Sequence, residues 1–454
     1  MYLVDLLPVF MFLMLAAFIF TGYPVAFVLG GTAVAFGFGG WAFDVFSLIE
    51  FQNIAARIYG SVAANLILTA VPMFIFMGTM LEKSGVAEDL LQSLQVALRR
   101  IPGGLALSVT LMGVVMAATT GIVGASVIMM TLLAIPVLLS RGYNIELAAG
   151  TIAASGTLGI LIPPSIMLVI MADLLAISVG TLFVAALIPG LILAAFYLGY
   201  IGILAAAKPH LAPPMRKEEG PQHLSAVLFM LSKSLLPPAF LMIVVLGSIF
   251  LGWATPTEAA GVGALGATLL ALMNGRLSLA VLKEVVQRTA MTNVMLFMIF
   301  LGATAFAYVF RSLGGDYLVV DFFEGMNLGP WPALLLMLIV IFLLGFLFDW
   351  IEILLIVLPI FVPILELLDF GDHVGATDLV PWFAILVAVN LQTSYLTPPF
   401  GYALFYMRGA APPEVTMPRI YRGIIPFVVL QMLAVVAVAA FPQIALWLPH
   451  YLLR

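Results

Sequence analysis

Long apolar runs separated by short polar breaks cover almost the whole chain. Residues 6–20, 25–39 and 181–207 contain no charged side chain, and each run is continuous rather than alternating with polar residues. A membrane-spanning helix needs about 20 apolar residues, whereas the strands of an outer-membrane barrel show about ten residues of alternating pattern. The pattern therefore predicts an all-α polytopic membrane protein with on the order of a dozen crossings.

The composition agrees with this prediction and narrows the chemistry. The 454 residues are 64% hydrophobic and 9% charged, whereas soluble proteins carry roughly 25% charged residues. The chain has no cysteine, which excludes disulfides and thiolate catalysis. Its four histidines lie in loops or near the end, and no HExxH, P-loop or GxGxxG pattern occurs in a suitable context. We therefore expect no enzyme, no cofactor and no nucleic-acid partner.

The stretch at residues 150–171 interrupts this pattern most strongly. It reads GTIAASGTLGILIPPSIMLVIM, so that small and hydroxyl residues precede Pro163, Pro164 and Ser165. Two adjacent prolines remove two backbone donors and prevent a continuous helix. Inside a membrane, such a break is tolerated only where the freed backbone groups are buried in protein or face a wet cavity. We expect a discontinuous helix or a re-entrant hairpin around residues 145–172.

A second copy of this stretch lies about half the chain away. Residues 389–407 read VNLQTSYLTPPFGYALFYM, and polar residues again precede a double proline, Pro398-Pro399. We expect a second hairpin around residues 381–408. Paired interrupted segments at corresponding positions of two halves indicate the binding site of a secondary transporter. Polar broken helices also build the filters of ion channels, so a channel stays open as an alternative.

The chain divides into two halves of similar pattern. We predict a first half at residues 1–207, a linker at 208–233 and a second half at 234–454. Basic residues in the linker (Lys208, Arg216, Lys217 and Lys233) favour the cytoplasmic side. The loop before the first double-proline stretch carries Arg141, whereas residues 369–378 carry three aspartates and no Lys or Arg. The positive-inside tendency places these loops on opposite sides, as an inverted repeat requires.

The hydroxyl clusters beside the prolines are suited to sodium and a carboxylate. Sodium is a hard cation that takes oxygen ligands, which freed backbone carbonyls and Ser, Thr or Asn side chains supply without a full charge. The N-termini of half-helices offer N–H groups and a positive dipole end to an anion. The candidate ligands are Ser126, Ser155, Thr157 and Ser165 in the first half and Asn390, Thr393, Ser394 and Thr397 in the second.

Two acidic residues stand between apolar runs. Asp349 and Glu352 lie three residues apart, on one face of a predicted helix. Because charge near the centre of a membrane helix is costly, one interpretation is cation coordination or proton coupling. The other is that both residues lie near a helix end in water.

The sequence resembles a known family over essentially its whole length. The motifs are residues 118–126 (ATTGIVGAS), the two double-proline stretches, and residues 349–363 (DWIEILLIVLPIFVP). They are similar to the large membrane subunit of TRAP transporters, the DctM-like permeases. The sequences of these motifs resemble the branch of the family that is labelled mannitol/chloroaromatic.

The resemblance implies properties that composition and spacing do not give. Such proteins are sodium-coupled importers of small organic acids in the bacterial inner membrane. They work with a small four-helix membrane subunit and a periplasmic solute-binding protein. Their large subunit has an inverted repeat, two re-entrant helical hairpins, a scaffold part, and a transport part that moves like an elevator.

The resemblance also assigns sodium- and substrate-binding positions. In the first half they are Gly124, Ser126, Ser155, Gly156, Thr157, Pro163, Pro164 and Ser165; in the second they are Asp349, Asn390, Thr393, Ser394, Thr397, Pro398, Pro399 and Gly401. Many relatives have a serine-rich run where this chain reads GIVGAS, so some hydroxyls are missing here. The alternative function is a proton-coupled carboxylate carrier, or an ion channel that needs no binding protein.

Overall fold

The computed structural model describes residues 3–120, 123–215, 221, 223–346, 348–398 and 401–453. Within these ranges all regular structure is helical, and eight helices are long and apolar enough to cross a membrane. Further shorter apolar helices accompany them. The predicted all-α polytopic membrane fold is confirmed.

The described part of the first half contains ten α-helices. They are α1 (Leu7–Ile19), α2 (Val25–Ala42), α3 (Glu50–Ile58), α4 (Ala70–Lys83), α5 (Val86–Leu98), α6 (Gly104–Thr120), α7 (Val123–Ser140), α8 (Ile145–Thr157), α9 (Ile166–Leu174) and α10 (Val179–Ala207). A π-helical turn, Tyr59–Ala63, follows α3 directly. The segments before and after residues 64–66 are bent by 56° relative to each other.

Ten more α-helices lie in the described part of the second half. They are α11 (Leu224–Phe250), α12 (Pro256–Met273), α13 (Leu279–Ser312), α14 (Gly315–Gly325), α15 (Pro330–Leu344), α16 (Trp350–Glu366), α17 (Ala376–Leu396), α18 (Tyr402–Ala410), α19 (Met417–Ala440) and α20 (Gln443–Leu452). Helix α11 already begins at Leu224 and includes Lys233, so the link between the halves is shorter than the predicted 208–233.

Local details repeat between the halves. Gly85 before α5 and Gly314 before α14 both have left-handed backbone, with φ of 79° and 85°. L-residues with a side chain rarely adopt this conformation. Pro189 lies inside α10, and Pro426 lies inside its counterpart α19. A left-handed glycine before a short helix and a proline inside a long helix therefore occur at corresponding positions of the two halves.

The two halves exchange contacts reciprocally. Helix α2 packs on α13, and its counterpart α12 packs on α4; likewise α8 packs on α19 while α17 packs on α10. The short helix α18 lies against α7, as α9 lies against α16. Such exchanged pairs are what two repeats related by a two-fold axis produce.

Charge separates the two ends of the helix bundle, which we call the basic face and the acidic face. The basic face holds the loops around Arg99, Arg141 and Lys208, which are joined by backbone hydrogen bonds from Gly103 to Ala212 and from Asn144 to Leu211, both 2.9 Å. The acidic face holds α14 and the segment 369–378. Arg141 and the three aspartates thus lie on opposite faces, as the inverted repeat predicted.

The two re-entrant hairpins lie beside the double-proline stretches rather than in them. Helices α6 and α7 enter from the basic face and return to it, whereas α15 and α16 enter from the acidic face and return there. The inner ends of these four helices, at Thr120, Val123, Leu344 and Trp350, therefore lie inside the bundle. This inverted pair of hairpins agrees with the expected fold class, but the positions differ from the expected ones.

The stretches around residues 145–172 and 381–408 are discontinuous spans, which for the first stretch is one of the two predicted forms. Helix α8 begins at the basic face, where Glu146 approaches Arg422. Helix α9 ends at the other face, where Asp173 accepts hydrogen bonds from Asn65. In the second half, α17 begins beside His450 at the acidic face and α18 ends in Arg408 and Ala410 near the start of α19. The prolines break the helix without reversing the chain.

Candidate functional site

A cavity of about 960 Å³ separates two groups of helices. Helices α4 and α13 line one side, and α7, α16 and α18 line the other. Its deep end is formed by Gly124, Asp349, Trp350, Tyr395, Tyr402 and Tyr406. A volume in the range of roughly 300–1,000 Å³ is typical of small-molecule sites.

The mouth of this cavity lies at the basic face and carries paired charges. Lys83 Nζ lies 2.6 Å from Glu284 Oε1, and Arg288 Nη1 lies 3.0 Å from Glu82 Oε1. Arg276 and Glu88 form a third, looser pair. Because every basic group there has an acidic partner, the mouth presents little net charge to a solute.

The deep end brings the two halves together. Gly124, near the start of α7, lies against the ring of Tyr406 on α18; a Cβ atom placed on Gly124 would lie 2.9 Å from that ring. Only a residue without a side chain permits this approach without a shift. Of the predicted site residues, Gly124 and Asp349 line the cavity directly.

Asp349 and Glu352 form the N-terminal cap of α16. The backbone N–H of Trp350 donates to Asp349 Oδ1 at 2.8 Å, and the N–H of Asp349 donates to Glu352 Oε2 at 2.6 Å. The hydroxyl of Tyr395 also donates to Asp349. This reciprocal arrangement is a capping box. Helix capping therefore accounts for the spacing of these two acids.

The first-half hydroxyls are buried around the break between α8 and α9. Ser155 donates to Thr110 Oγ1 at 3.2 Å, and Thr157 donates to the carbonyl of Ala154 at 2.9 Å. Ser165 donates to the carbonyl of Ile160 at 2.7 Å and caps the N-terminus of α9. Ser126 lies in the first turn of α7 and is also buried.

The second-half candidates line up along the last turns of α17. Thr393, Ser394 and Thr397 donate to carbonyls of their own helix, at 3.4, 2.8 and 2.7 Å. The Asn390 amide donates to the carbonyl of Leu338 on α15 at 2.8 Å. Helix α17 is thereby fixed to one arm of the second hairpin.

These hydrogen bonds leave oxygen lone pairs free to accept. A hydroxyl that donates its proton to a carbonyl keeps acceptor capacity on its own oxygen, as does Oδ1 of an asparagine whose amide donates. No three His, Asp or Glu side chains come together to hold a metal ion in the described part of the chain. The hydroxyl and amide oxygens at these breaks are neutral groups with acceptor capacity.

The remaining predicted positions shape the breaks. Pro163 and Pro164 are buried in the turn between α8 and α9. Gly156 lies so close to α7 that a Cβ atom would be 2.4 Å from Val127 Cγ2. Pro398 ends the first arm of the second broken span, and Gly401, with φ of 43°, begins α18. Pro399 lies outside the described residues.

Sequence reasoning did not select Gln392, which the structure marks clearly. Its side chain is fully buried on α17, and neither amide atom has a hydrogen-bond partner among the described residues. A buried unsatisfied polar group costs about 1–3 kcal/mol, so it calls for a ligand or a water molecule. The amide-rich run before the second double proline was the available signal.

The cavity tyrosines were also missed. Tyr395, Tyr402 and Tyr406 stand in the second double-proline stretch, where their aromatic character is typical of packing residues. Only the folded arrangement shows that α17 and α18 direct them to one end of the cavity.

Comparison with known proteins gives a consistent result. The family model described as the DctM component of tripartite ATP-independent periplasmic transporters matches residues 12–444. The C4-dicarboxylate TRAP transporter large permease of Pseudomonas aeruginosa is 30% identical, over 90% of this chain and 92% of that protein. The sialic acid TRAP transporter large permease of Vibrio cholerae is 28% identical, over 96% of each.

Two further proteins extend the comparison. The ectoine TRAP transporter large permease of Halomonas elongata is 27% identical, over 84% of this chain and 86% of that protein. The crystal structure of the Alcanivorax borkumensis YdaH transporter has a TM-score of 0.62 at 14% identity, covering 89% of this chain and 90% of that one. At this low identity the structural likeness concerns the fold alone.

Proposed function

This chain belongs to the DctM family of tripartite ATP-independent periplasmic transporters, and we propose that it imports small organic acids in symport with sodium ions. As a TRAP large permease it is a transporter subunit rather than an enzyme, and it works with a small membrane subunit and a periplasmic binding protein. A four-helix small subunit and a position in the bacterial inner membrane are further parts of the proposal.

One observation carries the proposal: two broken spans and two re-entrant hairpins bring their interruptions to one region beside a cavity. Gly124 of the first hairpin meets Tyr406, and Asp349 of the second hairpin meets Tyr395, at the deep end of the 960 Å³ cavity. Interrupted helices place carbonyl oxygens and helix N-termini at the same point, which suits a cation and an organic anion together.

We assign the sodium ligands to the neutral oxygens at these breaks. Ser126 and Thr157 are the candidates of the first half, and Thr393 and Thr397 those of the second. All four are buried or nearly so, and three of them donate their protons to backbone carbonyls. Sodium would meet acceptor oxygens without any carboxylate having to change its charge.

The solute class rests on the relatives and on the cavity size. Two of the compared relatives are named for C4-dicarboxylates and sialic acid, which carry carboxyl groups. The third is named for ectoine, so the solute varies within the family. In the proposed mechanism the unit made of hairpins and broken spans slides past α4 and α13, as an elevator does.

Uptake into proteoliposomes tests the proposal. The chain is reconstituted with its small subunit and binding protein and supplied with a panel of small carboxylates, with and without an inward sodium gradient. We expect saturable uptake that needs both sodium and the binding protein. Uptake that needs neither, or that a pH gradient drives without sodium, would contradict the sodium-coupled mechanism.

Four variants test the ligand assignment separately. Ser126→Ala, Thr157→Ala, Thr393→Ala and Thr397→Ala are each expected to raise the sodium concentration for half-maximal uptake by about tenfold, which corresponds to the loss of one ligand worth about 1.4 kcal/mol. Ser140→Ala, at the exposed end of α7, is the control. An unchanged sodium response in all four variants would contradict the assignment of these residues as sodium ligands.

A further inference from the structure

A second cavity, of about 430 Å³, lies toward the acidic face. We call it the outer crevice. It lies between α3 and α13 on one side and the ends of α9 and α16 on the other. Its polar and charged lining consists of Arg57, Ser61, Thr304, Tyr308, Arg311 and Ser312. None of these residues lines the larger cavity, which meets α16 at its first residue, Trp350.

The charges of the outer crevice oppose those of the face around it. Acidic residues dominate the acidic face, among them Asp321 and Glu324 on α14 and Asp369 and Asp372 in the following loop. Arg57 and Arg311 are the Lys or Arg side chains that the described chain places there, and both line this one crevice. Two cations in a single concave site, on a face otherwise acidic, have the charge and geometry that suit an anion.

Arg57 is available to a ligand. Its guanidinium makes no ion pair or hydrogen bond with another residue within the described ranges. Its helix does not simply end there either: the π turn Tyr59–Ala63 continues it, and Ser61 donates to the carbonyl of Arg57 at 2.8 Å. The dipole of a free helix end therefore does not explain this arginine. Turns of π-helix occur frequently at functional sites.

Arg311 is held by contacts that a stronger acceptor can replace. Its Nη2 lies 3.4 Å from the carbonyl oxygen of Pro359, and its Nε lies 3.4 Å from Asp316. The Pro359 carbonyl has no helical partner because residue 363 is also a proline. Both contacts are long and involve a side chain that is 47% exposed, so Arg311 can turn toward an anion in the crevice.

Neutral donors complete the site. Thr304 and Ser312 contribute hydroxyl donors to the lining, whereas the Ser61 hydroxyl already donates to the Arg57 carbonyl. Tyr308 fixes the geometry, because Asn53 on α3 donates to its hydroxyl at 2.9 Å. Helix α3 and its arginine are thereby attached to α13, which carries the other arginine.

We propose that the outer crevice binds an oxyanion, a carboxylate or phosphate group, between Arg57 and Arg311. The oxyanion comes either from a solute or from a phospholipid headgroup. If the oxyanion belongs to a solute, the proposal rests on the transport function proposed above. The crevice would then be the first place where an organic acid contacts the protein, on the side opposite the larger cavity. The anion site itself does not depend on transport.

The absence of cysteine from the chain allows a direct test. Thr304→Cys places a single thiol in the crevice of the reconstituted complex, in liposomes of phosphatidylcholine alone. Its labelling rate is measured with membrane-impermeant methanethiosulfonates that carry either a sulfonate or a trimethylammonium group. We expect the anionic reagent to react about tenfold faster than the cationic one, and Arg57→Gln with Arg311→Gln to abolish this preference.

Matched controls separate the site from its surroundings. Ser47→Cys lies exposed on the acidic face outside the crevice, next to Glu50, and is expected to show no preference for the anionic reagent. Ser61→Cys is the second crevice probe if the Thr304 variant does not fold. Equal rates for the two reagents at the crevice thiol would overturn the proposal.

Protection identifies the source of the oxyanion. Slower labelling at Thr304→Cys in the presence of succinate supports a solute carboxylate. Slower labelling in liposomes that contain phosphatidylglycerol, without any effect of succinate, supports a lipid phosphate. If neither succinate nor phosphatidylglycerol slows the labelling, the oxyanion site is contradicted, even when sodium-driven uptake is intact. Conversely, if the complex transports no carboxylate, the labelling result is still valid.

Uptake kinetics provide the last comparison. For a solute carboxylate, the Arg57→Gln and Arg311→Gln pair is expected to raise KM about tenfold with little change in kcat. Arg422→Gln removes an exposed arginine from the basic face and is expected to leave KM unchanged. An unchanged KM in the double variant would show that solutes do not use this site.

Discussion

The Ser394 side chain on α17 lies against the backbone of Gly345, where the first arm of the second hairpin ends. A Cβ atom placed on Gly345 would lie 2.2 Å from Ser394 Oγ and 2.5 Å from its Cβ. The hairpin turn and the second broken span are thus in direct contact at a point with no free space. In the first half, the first hairpin arm also meets the broken span closely, since a Cβ atom placed on Gly113 of α6 would lie 2.8 Å from Ser155 Cβ on α8.

Gly345→Ala is expected to displace the hairpin from α17. Because Ser394 is short and buried, it cannot move aside, and overpacking of this kind costs about 1–3 kcal/mol. We expect a lower thermal unfolding temperature in detergent and at least a tenfold loss of sodium-driven uptake. Gly375→Ala is the control, since nothing lies within 4 Å of a Cβ atom there. Normal uptake and stability in Gly345→Ala would contradict the tight contact.

The capping box of α16 predicts different results for its two acids. Asp349→Ala removes the cap and is expected to lower the free energy of unfolding by about 1 kcal/mol. Thr255→Ala removes the equivalent cap of α12 and provides a matched comparison. Because Thr255 is remote from the larger cavity, that variant is expected to lose stability without losing uptake.

Glu352→Gln tests the proton-coupling interpretation directly. Glutamine also serves at the third position of a capping box, so the helix start is preserved while the charge is removed. We expect the unfolding free energy to change by less than about 0.5 kcal/mol and the sodium dependence of uptake to remain. Loss of the driving force in this variant would favour proton coupling instead.

Gln392→Leu is expected to separate stability from transport. Removing a buried amide that has no described partner should leave the protein equally stable or stabilise it by about 1–3 kcal/mol. If the amide serves a cation or its water, sodium affinity should fall by about tenfold. Thr151→Val is the control, because the Thr151 hydroxyl is also buried without a described partner, in the middle of α8. Unchanged sodium affinity would assign Gln392 a packing role only.

The ion pairs at the cavity mouth are expected to contribute little stability. The Lys83 and Glu284 side chains are 29% and 46% exposed, so solvent and salt screen their attraction. A double-mutant cycle with Lys83→Gln and Glu284→Gln should show only weak coupling between the two side chains at low salt, and weaker coupling still at 1 M salt. Strong coupling that persists at 1 M salt would show that the mouth is drier than these exposures indicate.

The amino-acid sequence by itself determined the membrane class and the two-fold repeat. Charged residues are too rare for a soluble fold, and the two double-proline stretches occur at matching positions. The opposite charge of the loops at Arg141 and at residues 369–378 also gave the inverted orientation. These features are local, because hydropathy and the missing proline N–H act within one helical turn.

The sequence did not determine which segments turn back. The double prolines interrupt α8 and α17 but do not reverse the chain, because neighbouring helices accept the broken arms in line across the bundle. The chain reverses between α6 and α7 and between α15 and α16, and Gly124 and Gly345 beside these reversals allow close contact with other helices. Such contacts join residues far apart in the chain, so no local pattern reveals them.

The tertiary structure alone also decided the roles of individual polar groups. Asp349 and Glu352 stand three residues apart whether they cap a helix or bind a cation, and only the position of the start of α16 shows that they cap it. Arg57 and Arg311 lie far apart in sequence and meet in one crevice because α3 packs along the end of α13. Helix packing sets which charges and hydroxyls share a cavity, and therefore where this permease can bind ions and solutes.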